Sequence, residues 1–366
     1  MNSPKVSFIV PCYKLASFLP ACLGSILQQT CKDFEILVMD DCSPDNTAEV
    51  MKSYDDARIR YIRNDPNLGH LRNYNKGIGL CRGAYIWLIS ADDYLRSPYI
   101  LERYTALLDS RSKVGYVFCP GFGVRDGRET EVFGQLCRRM DRDRVLSGET
   151  LLSKLLHGNF VAAPSGLARR ECYEKAGAFP LDMPWCGDWY LWCLFALYFE
   201  VGYFAEPMVC YREQHPLSMT DKLTRESIDG CAEEEIRLSW RIRDHALQVG
   251  TPRIAKQCLA AIARTYARTI AGERFRNAST YMNFNSLEKA LLQLSVSQAE
   301  RDWIRARVYA GVGNECYWRQ DLRAARSFYS TALAQDPWMP SVALKLLLAS
   351  LGRSGDFLRR AVLSLR

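Results

Sequence analysis

The chain has 366 residues, 48% of them apolar and 24% charged, with a net charge of +7. That is too long for one small domain, and the composition is that of ordinary soluble proteins, so two domains are the natural expectation. The 14 cysteines are scattered singly from Cys12 to Cys316 without C-x-x-C spacing, and only 4 histidines occur, which argues against a zinc site or disulfide framework and for reduced thiols in a cytoplasmic protein.

Met1–Pro4 lacks a basic leader, so no signal peptide is expected. A β-rich run from Val6 to Tyr13 ends in a turn and precedes a helical stretch from Phe18 to Gln29. A second run, Phe34–Met39, ends in Asp40-Asp41-Cys42-Ser43-Pro44-Asp45 and places acids at a strand's C-terminal edge. Asn67-Leu68-Gly69 and Asn75-Lys76-Gly77 then lead to a third apolar run, Ala84–Ile89, followed by Ser90 and the triplet Ala91-Asp92-Asp93. Adjacent carboxylates at the end of a buried strand are costly unless a cation or hydrogen-bond donors compensate them. The same edge is where open α/β sheets bind ligands. Hard oxygen ligands suit Mg²⁺ or Mn²⁺, and Mg²⁺ typically takes one or two carboxylates plus substrate phosphates. The simpler reading is that Asp92 or Asp93 caps a helix over Pro98–Leu108. Downstream, Asp188 precedes the aromatic stretch Trp189–Phe199, which is too short to span a bilayer and reads as a buried helix. An Asp N-cap on that helix explains Asp188 without chemistry.

In this order, the motifs resemble the nucleotide-sugar domain of family 2 glycosyltransferases, the GT-A fold, over roughly Lys5–Thr220. The resemblance implies an α/β domain with a Rossmann-like mixed sheet. Pro11 and Tyr13 would contact the nucleotide, Tyr13 flanking the base, and Asp41 would accept from a ring nitrogen or ribose hydroxyl. Asp93 would be the direct metal ligand, with Asp92 nearer the ribose or a metal-bound water. Many relatives carry a further Asp where this chain has Ser90, so the site would lean harder on its other ligands. Asp188 falls where the family places the base that takes the acceptor's proton, a step a sugar hydroxyl needs to become a competent nucleophile. Tyr211-Arg212-Glu213-Gln214-His215 resembles the closing element, which implies that Arg212 would help neutralise the departing nucleotide and that His215 would complete the metal sphere or contact the diphosphate. Two residues separate Arg212 from His215 where relatives usually have one. The segment Pro164–Phe179 reads as a strand and a short helix ended by Gly177, and no catalytic role attaches to it.

Beyond about Thr220 strand signals cease and the chain becomes rich in Ala, Leu and Arg at helical spacing. Residues 223–366 hold 22 Lys and Arg against 14 Asp and Glu, a net +8 that leaves residues 1–222 at −1. A basic surface favours anionic partners such as the inner face of a membrane, whereas no nucleic-acid module or basic run is present. Tyr309, Val312, Gly313, Cys316, Ala325, Tyr329, Ala332 and Pro337 resemble the defining positions of a tetratricopeptide repeat at about 306–339. The division expected is a GT-A domain over 1–222 and an all-α domain over 223–366.

The leading expectation is therefore an inverting glycosyltransferase moving a sugar from a nucleotide diphosphate sugar to a saccharide or lipid-linked acceptor, in bacterial surface polysaccharide synthesis. A nucleotidyltransferase acting on sugar phosphates would show a glycine-rich, basic phosphate loop after the first strand, and Pro11-Cys12-Tyr13-Lys14-Leu15 is not one. A non-catalytic scaffold built on the repeat would tolerate loss of the acids, all of which are present. A dinucleotide oxidoreductase would carry G-x-G-x-x-G there.

Overall fold

Val6–Cys12 forms strand β1, buried at every residue, as a near-continuous apolar run must be when a parallel strand is covered on both faces. The computed structural model describes residues 3–132, 141–213, 217–276, 281–294 and 296–351. By contact the chain divides into two compact units, Met1–Glu226 and Ser227–Arg366.

In the first unit β1 is followed by α1 (Leu19–Leu27), β2 (Phe34–Asp40), α2 (Thr47–Lys52), β3 (Ile59–Arg63), α3 (His70–Leu80) and β4 (Tyr85–Leu88). Then come β5 (Tyr94–Leu95), α4 (Ile100–Ser110), β6 (Val114–Phe118), β7 (Gly121–Arg125), β8 (Arg128–Val132), β9 (Arg144–Leu146) and α5 (Gly148–Leu155). A short 3₁₀ turn, Ala163–Ser165, leads into β10 (Leu167–Arg169), α6 (Arg170–Ala176), α7 (Gly187–Tyr198), β11 (Glu200–Tyr203), β12 (Val209–Arg212) and α8 (Met219–Glu226).

Among the described residues the strands make an eight-stranded sheet, ordered β3-β2-β1-β4-β10-β6-β11-β9, and a four-stranded sheet, β5-β12-β7-β8. β1 runs parallel to β2 and β4, whereas β10 is antiparallel to both β4 and β6. The sheet is thus mixed, and β1, β2 and β4 deliver their C-terminal ends to one edge. Phe8 stacks on Trp87 at 5.2 Å between centroids, and Trp87 on Tyr104 at 5.2 Å. This buried aromatic column fixes the central strands against α4. Gly77 lets α3 lie close on the sheet: a Cβ there would sit 2.7 Å from Ile9 Cγ2.

The helix after the acid pair begins at Ile100 with Tyr99 as its N-cap and no side-chain capping bond. Asp92 and Asp93 are therefore not its caps. α6 ends at Gly177, whose φ of 85° suits glycine.

The second unit is helical throughout its described residues: α9 (Ile228–Gln248), α10 (Pro252–Arg276), α11 (Phe284–Gln293), α12 (Gln298–Trp318), α13 (Leu322–Gln335) and α14 (Pro340–Ser350). Capping boxes at Asn283/Ser286 and Ser297/Glu300 start α11 and α12. Gly313 brings α12 against α13, since a Cβ there would lie 2.9 Å from the Tyr329 ring. Val312, Cys316, Ala325, Tyr329 and Ala332 are buried in this unit's core, while Pro337 is exposed. Among the described residues no helix is long and apolar enough to cross a membrane.

Candidate functional site

The edge formed by β1, β2 and β4 is held together by backbone bonds between their ends. Asp41 N donates to the Cys12 carbonyl at 2.9 Å, and Ala91 N to the Pro11 carbonyl at 3.1 Å. The loop after β1 is tied to the loop after β2 through Lys14 N to Ser43 Oγ and Ala16 N to Asp45 Oδ2, each at 3.1 Å. Tyr13 projects from this junction, 41% exposed, with the Lys14 ammonium 5.2 Å from its ring centroid.

The two acids ending β2 do different work. Asp40 is fully buried and accepts from Tyr61 Oη at 2.5 Å, Arg63 at 2.7 Å and Ser43 N at 2.8 Å. Burial opposes its charge, yet these donors hold its pKa below the ordinary value. Asp41 accepts from Leu68 N at 2.8 Å, Asn64 Nδ2 at 2.9 Å and Gly69 N at 2.9 Å. Asn64 is itself held by Asn73 and Lys76. Three of about four acceptor positions on the Asp41 carboxylate are thus filled by the chain.

Asp93 is 3% exposed, and its Oδ1 accepts from Arg212 N at 2.9 Å. Arg212 Nε donates to the Asp92 carbonyl at 3.0 Å, and its guanidinium lies over the Phe18 ring at 4.5 Å. Burial, with the neighbouring Asp92 charge, pushes the Asp93 carboxyl well above its ordinary value. A carboxylate so placed gains from a cation, and the hard oxygens of Asp92 and Asp93 fit a divalent ion that completes its shell with phosphate and water. No cluster of three or more His, Cys, Asp or Glu suited to a metal occurs among the described residues. His215 lies outside the described residues.

Asp188 sits in the first turn of α7, whose N-cap is Cys186, so the carboxylate is inside the helix and does not cap it. Its Oδ1 accepts from Trp189 N at 2.6 Å. Burial pushes the carboxyl up to about 6, against the bonds it receives from Trp189 N–H and the Asn159 side chain. A carboxyl with that value is matched to proton abstraction near neutral pH.

The charges of Asp92, Asp93 and Asp188 all act on the phenol of Tyr74, from α3, and on that of Tyr211, from β12. Neither tyrosine has a role in the sequence reading, nor does Asn159. Tyr74 lies inside the segment bounded by the two Asn-x-Gly triplets, yet nothing in one sequence says which face of α3 meets the acids.

The sequence model described as "Glycosyl transferase family 2" matches residues 7–171. "Uncharacterized glycosyltransferase EpsJ" of Bacillus subtilis is 34% identical over 179 residues, 47% of this chain and 50% of that protein. "PGL/p-HBAD biosynthesis glycosyltransferase" of Mycobacterium bovis is 26% identical over 217 residues, 59% of this chain and 75% of that protein. The chain thus spans about half the length of the first of these relatives. Among solved structures, S. aureus TarS 1-349 in complex with UDP-GlcNAc superposes with a TM-score of 0.57 at 16% identity, over 94% of this chain and 90% of that one. In fold, the chain is a GT-A-type mixed α/β domain followed by a helical region, and the matched segment is of the glycosyltransferase class.

Proposed function

We propose that this chain is an inverting glycosyltransferase, moving a sugar from a nucleotide diphosphate sugar to a hydroxyl of a saccharide or lipid-linked acceptor in bacterial surface polysaccharide synthesis. The observation that carries this reading is the buried Asp93, just past the C-terminal end of β4, whose carboxylate accepts from Arg212 N–H at 2.9 Å. Nucleoside recognition falls to Pro11, Tyr13 and Asp41, with the ribose near Asp92. Asp93 would hold Mg²⁺ or Mn²⁺, with Asp92 near the ribose or a metal-bound water and His215 as a further ligand. When bound, the ion supplies Lewis-acid neutralisation of the leaving diphosphate. Arg212 adds a fixed positive charge beside the acids.

Asp188 takes the proton of the acceptor hydroxyl as its oxygen attacks the anomeric carbon opposite the leaving group, and one displacement inverts the configuration. A nucleotide sugar as donor is supported by the TarS complex, whose ligand is UDP-GlcNAc. The helical unit, read as tetratricopeptide-like and carrying the basic excess, docks an acceptor, a partner or an anionic membrane surface.

Release of nucleoside diphosphate from UDP-, GDP-, dTDP- and CMP-sugars, with and without Mn²⁺, tests the reading. CMP-sugars, which release a monophosphate, serve as a control. Metal-dependent release from one donor in the presence of a saccharide acceptor supports it, and silence across the panel counts against it.

A further inference from the structure

The second helix of the C-terminal unit, α10, is covered along most of its circumference. Ile254, Cys258, Ile262, Tyr266 and Ile270 are among its buried residues. What α10 leaves to solvent is a narrow stripe at helical spacing: Arg253, Lys256, Arg264 and Arg268 are exposed, with Ala260 half-buried between them. At 1.5 Å per residue the stripe runs for about 22 Å. Arg264 and Arg268 stand one turn apart, and like charges so spaced destabilise a helix. Arg268 also pairs with Glu235 of α9 at 2.6 Å.

The cationic face continues onto α12 and the turn between α13 and α14. Lys256 Nζ lies 6.0 Å from the centroid of the Trp303 ring, and the Arg307 guanidinium covers the same ring at 3.6 Å. Arg307 also donates to Asp336 Oδ2 at 2.9 Å, and Asp336 Oδ1 accepts from Trp338 N at 3.1 Å. This run of contacts brings Trp338 to the Lys256 end of the stripe. The bond to Asp336 uses only the backbone of Trp338, and the residue is 90% exposed.

We propose that this face of the helical unit, the α10 stripe with Trp338 at its end, lies on an anionic phospholipid bilayer. The cations are strung along a line on long, mobile side chains and do not converge on a point. That suits an extended surface of laterally mobile charges better than one discrete anion. An exposed indole beside them suits the headgroup level, where a ring with an apolar body and a polar edge is accommodated. Among the described residues no helix is long and apolar enough to cross a membrane, so the contact is one that lies on the surface. The inference selects one of the docking roles proposed for the helical unit and rests on that part of the reading alone.

The test is co-sedimentation of the full chain with vesicles of phosphatidylcholine, alone or mixed with phosphatidylglycerol, in the absence of donor and acceptor. The wild type binds the mixed vesicles and not phosphatidylcholine. Raising the salt from about 0.1 M to about 1 M, which shortens the Debye length from about 10 Å to about 3 Å, releases it. Lys256→Gln with Arg264→Gln lowers the partition about thirtyfold, the worth of two cations at an anionic surface. Trp338→Ala lowers it as well. Arg323→Gln with Arg326→Gln, which removes the same charge from exposed positions of α13, leaves it unchanged. An equal fall in that control would make binding a matter of net charge and overturn the assignment of the face. Equal binding to both kinds of vesicle, or none to either, would overturn the proposal without recourse to any variant. Tighter binding to inorganic polyphosphate than to the vesicles, with Trp338→Ala silent on both, would give the stripe to a soluble polyanion and overturn it too. Because no sugar nucleotide is present, each of these failures leaves glycosyl transfer standing, and an inactive enzyme leaves the vesicle result standing.

Discussion

The backbone N–H of Arg212 donates to Asp93 Oδ1 at 2.9 Å, so the last residue of β12 is bonded to the acid pair that follows β4. This bond joins residues 119 apart in the chain, and the Arg212 guanidinium donates in turn to the Asp92 carbonyl at 3.0 Å. It also separates two functions of Asp93. Asp93→Asn retains an oxygen to accept from Arg212 N–H but discards the charge. We expect the fold to persist, with Tm close to wild type, while metal-dependent nucleotide binding measured by calorimetry weakens at least tenfold. If EDTA leaves wild-type turnover intact, the metal role fails and Arg212 alone must meet the leaving-group charge.

Asp188→Asn removes the proton acceptor but not the hydrogen bond from Trp189 N–H. Transfer should fall by about 10²–10⁴-fold, the range for loss of a positioned acid or base, while the affinity for nucleotide is preserved. Separate measurements of turnover and of binding check this. Near wild-type turnover would take Asp188 out of the role.

The pH profile follows from the same group. Because burial raises the Asp188 carboxyl to about 6, it is protonated and inactive below that value and charged above it. Activity should climb through about pH 6 and level off on the alkaline side. The Asn159 side chain donates to this carboxylate and holds its pKa down. Asn159→Ala therefore moves the acidic limb to higher pH, which initial rates across pH 5–8 would reveal; a limb that stays put would detach Asn159 from the base.

Asp41 should prove structural as well as ligand-facing. Its carboxylate takes up the N–H groups of Leu68 and Gly69 and the Asn64 amide. In Asp41→Asn an amide NH₂ replaces one acceptor and faces a buried donor, at a cost of about 1.5–3 kcal/mol for a charge-assisted bond lost. A fall in Tm of several degrees, with weaker nucleotide binding, is the expected outcome of thermal unfolding and calorimetry.

The central strands were legible because their burial on both faces writes continuous apolar runs: Val6–Tyr13 is found as Val6–Cys12, Phe34–Met39 as Phe34–Asp40 and Ala84–Ile89 as Tyr85–Leu88. Helices were placed to within a few residues, Phe18–Gln29 settling as Leu19–Leu27 and Trp189–Phe199 as Gly187–Tyr198. The four-stranded sheet gave no signal, since β5 has two residues and β12 four, too few to show a period. Acids at strand ends could be read from local sequence. The edge-on contact of Tyr74 with Phe179 could not, because the two lie far apart in the chain and meet only through long-range packing. Likewise the burial that sets Asp188 near 6 is a property of the assembled site.

The most direct test of the central claim is thermal unfolding of the full chain with UDP-, GDP-, dTDP- and CMP-sugars, each with Mn²⁺ and with EDTA. At about 100 times its Kd a ligand stabilises the native state by about 2.7 kcal/mol. The account predicts that one sugar nucleotide raises Tm by several degrees with Mn²⁺, and that EDTA or Asp93→Asn removes most of the shift. An unchanged Tm with every sugar nucleotide at millimolar concentration would contradict it.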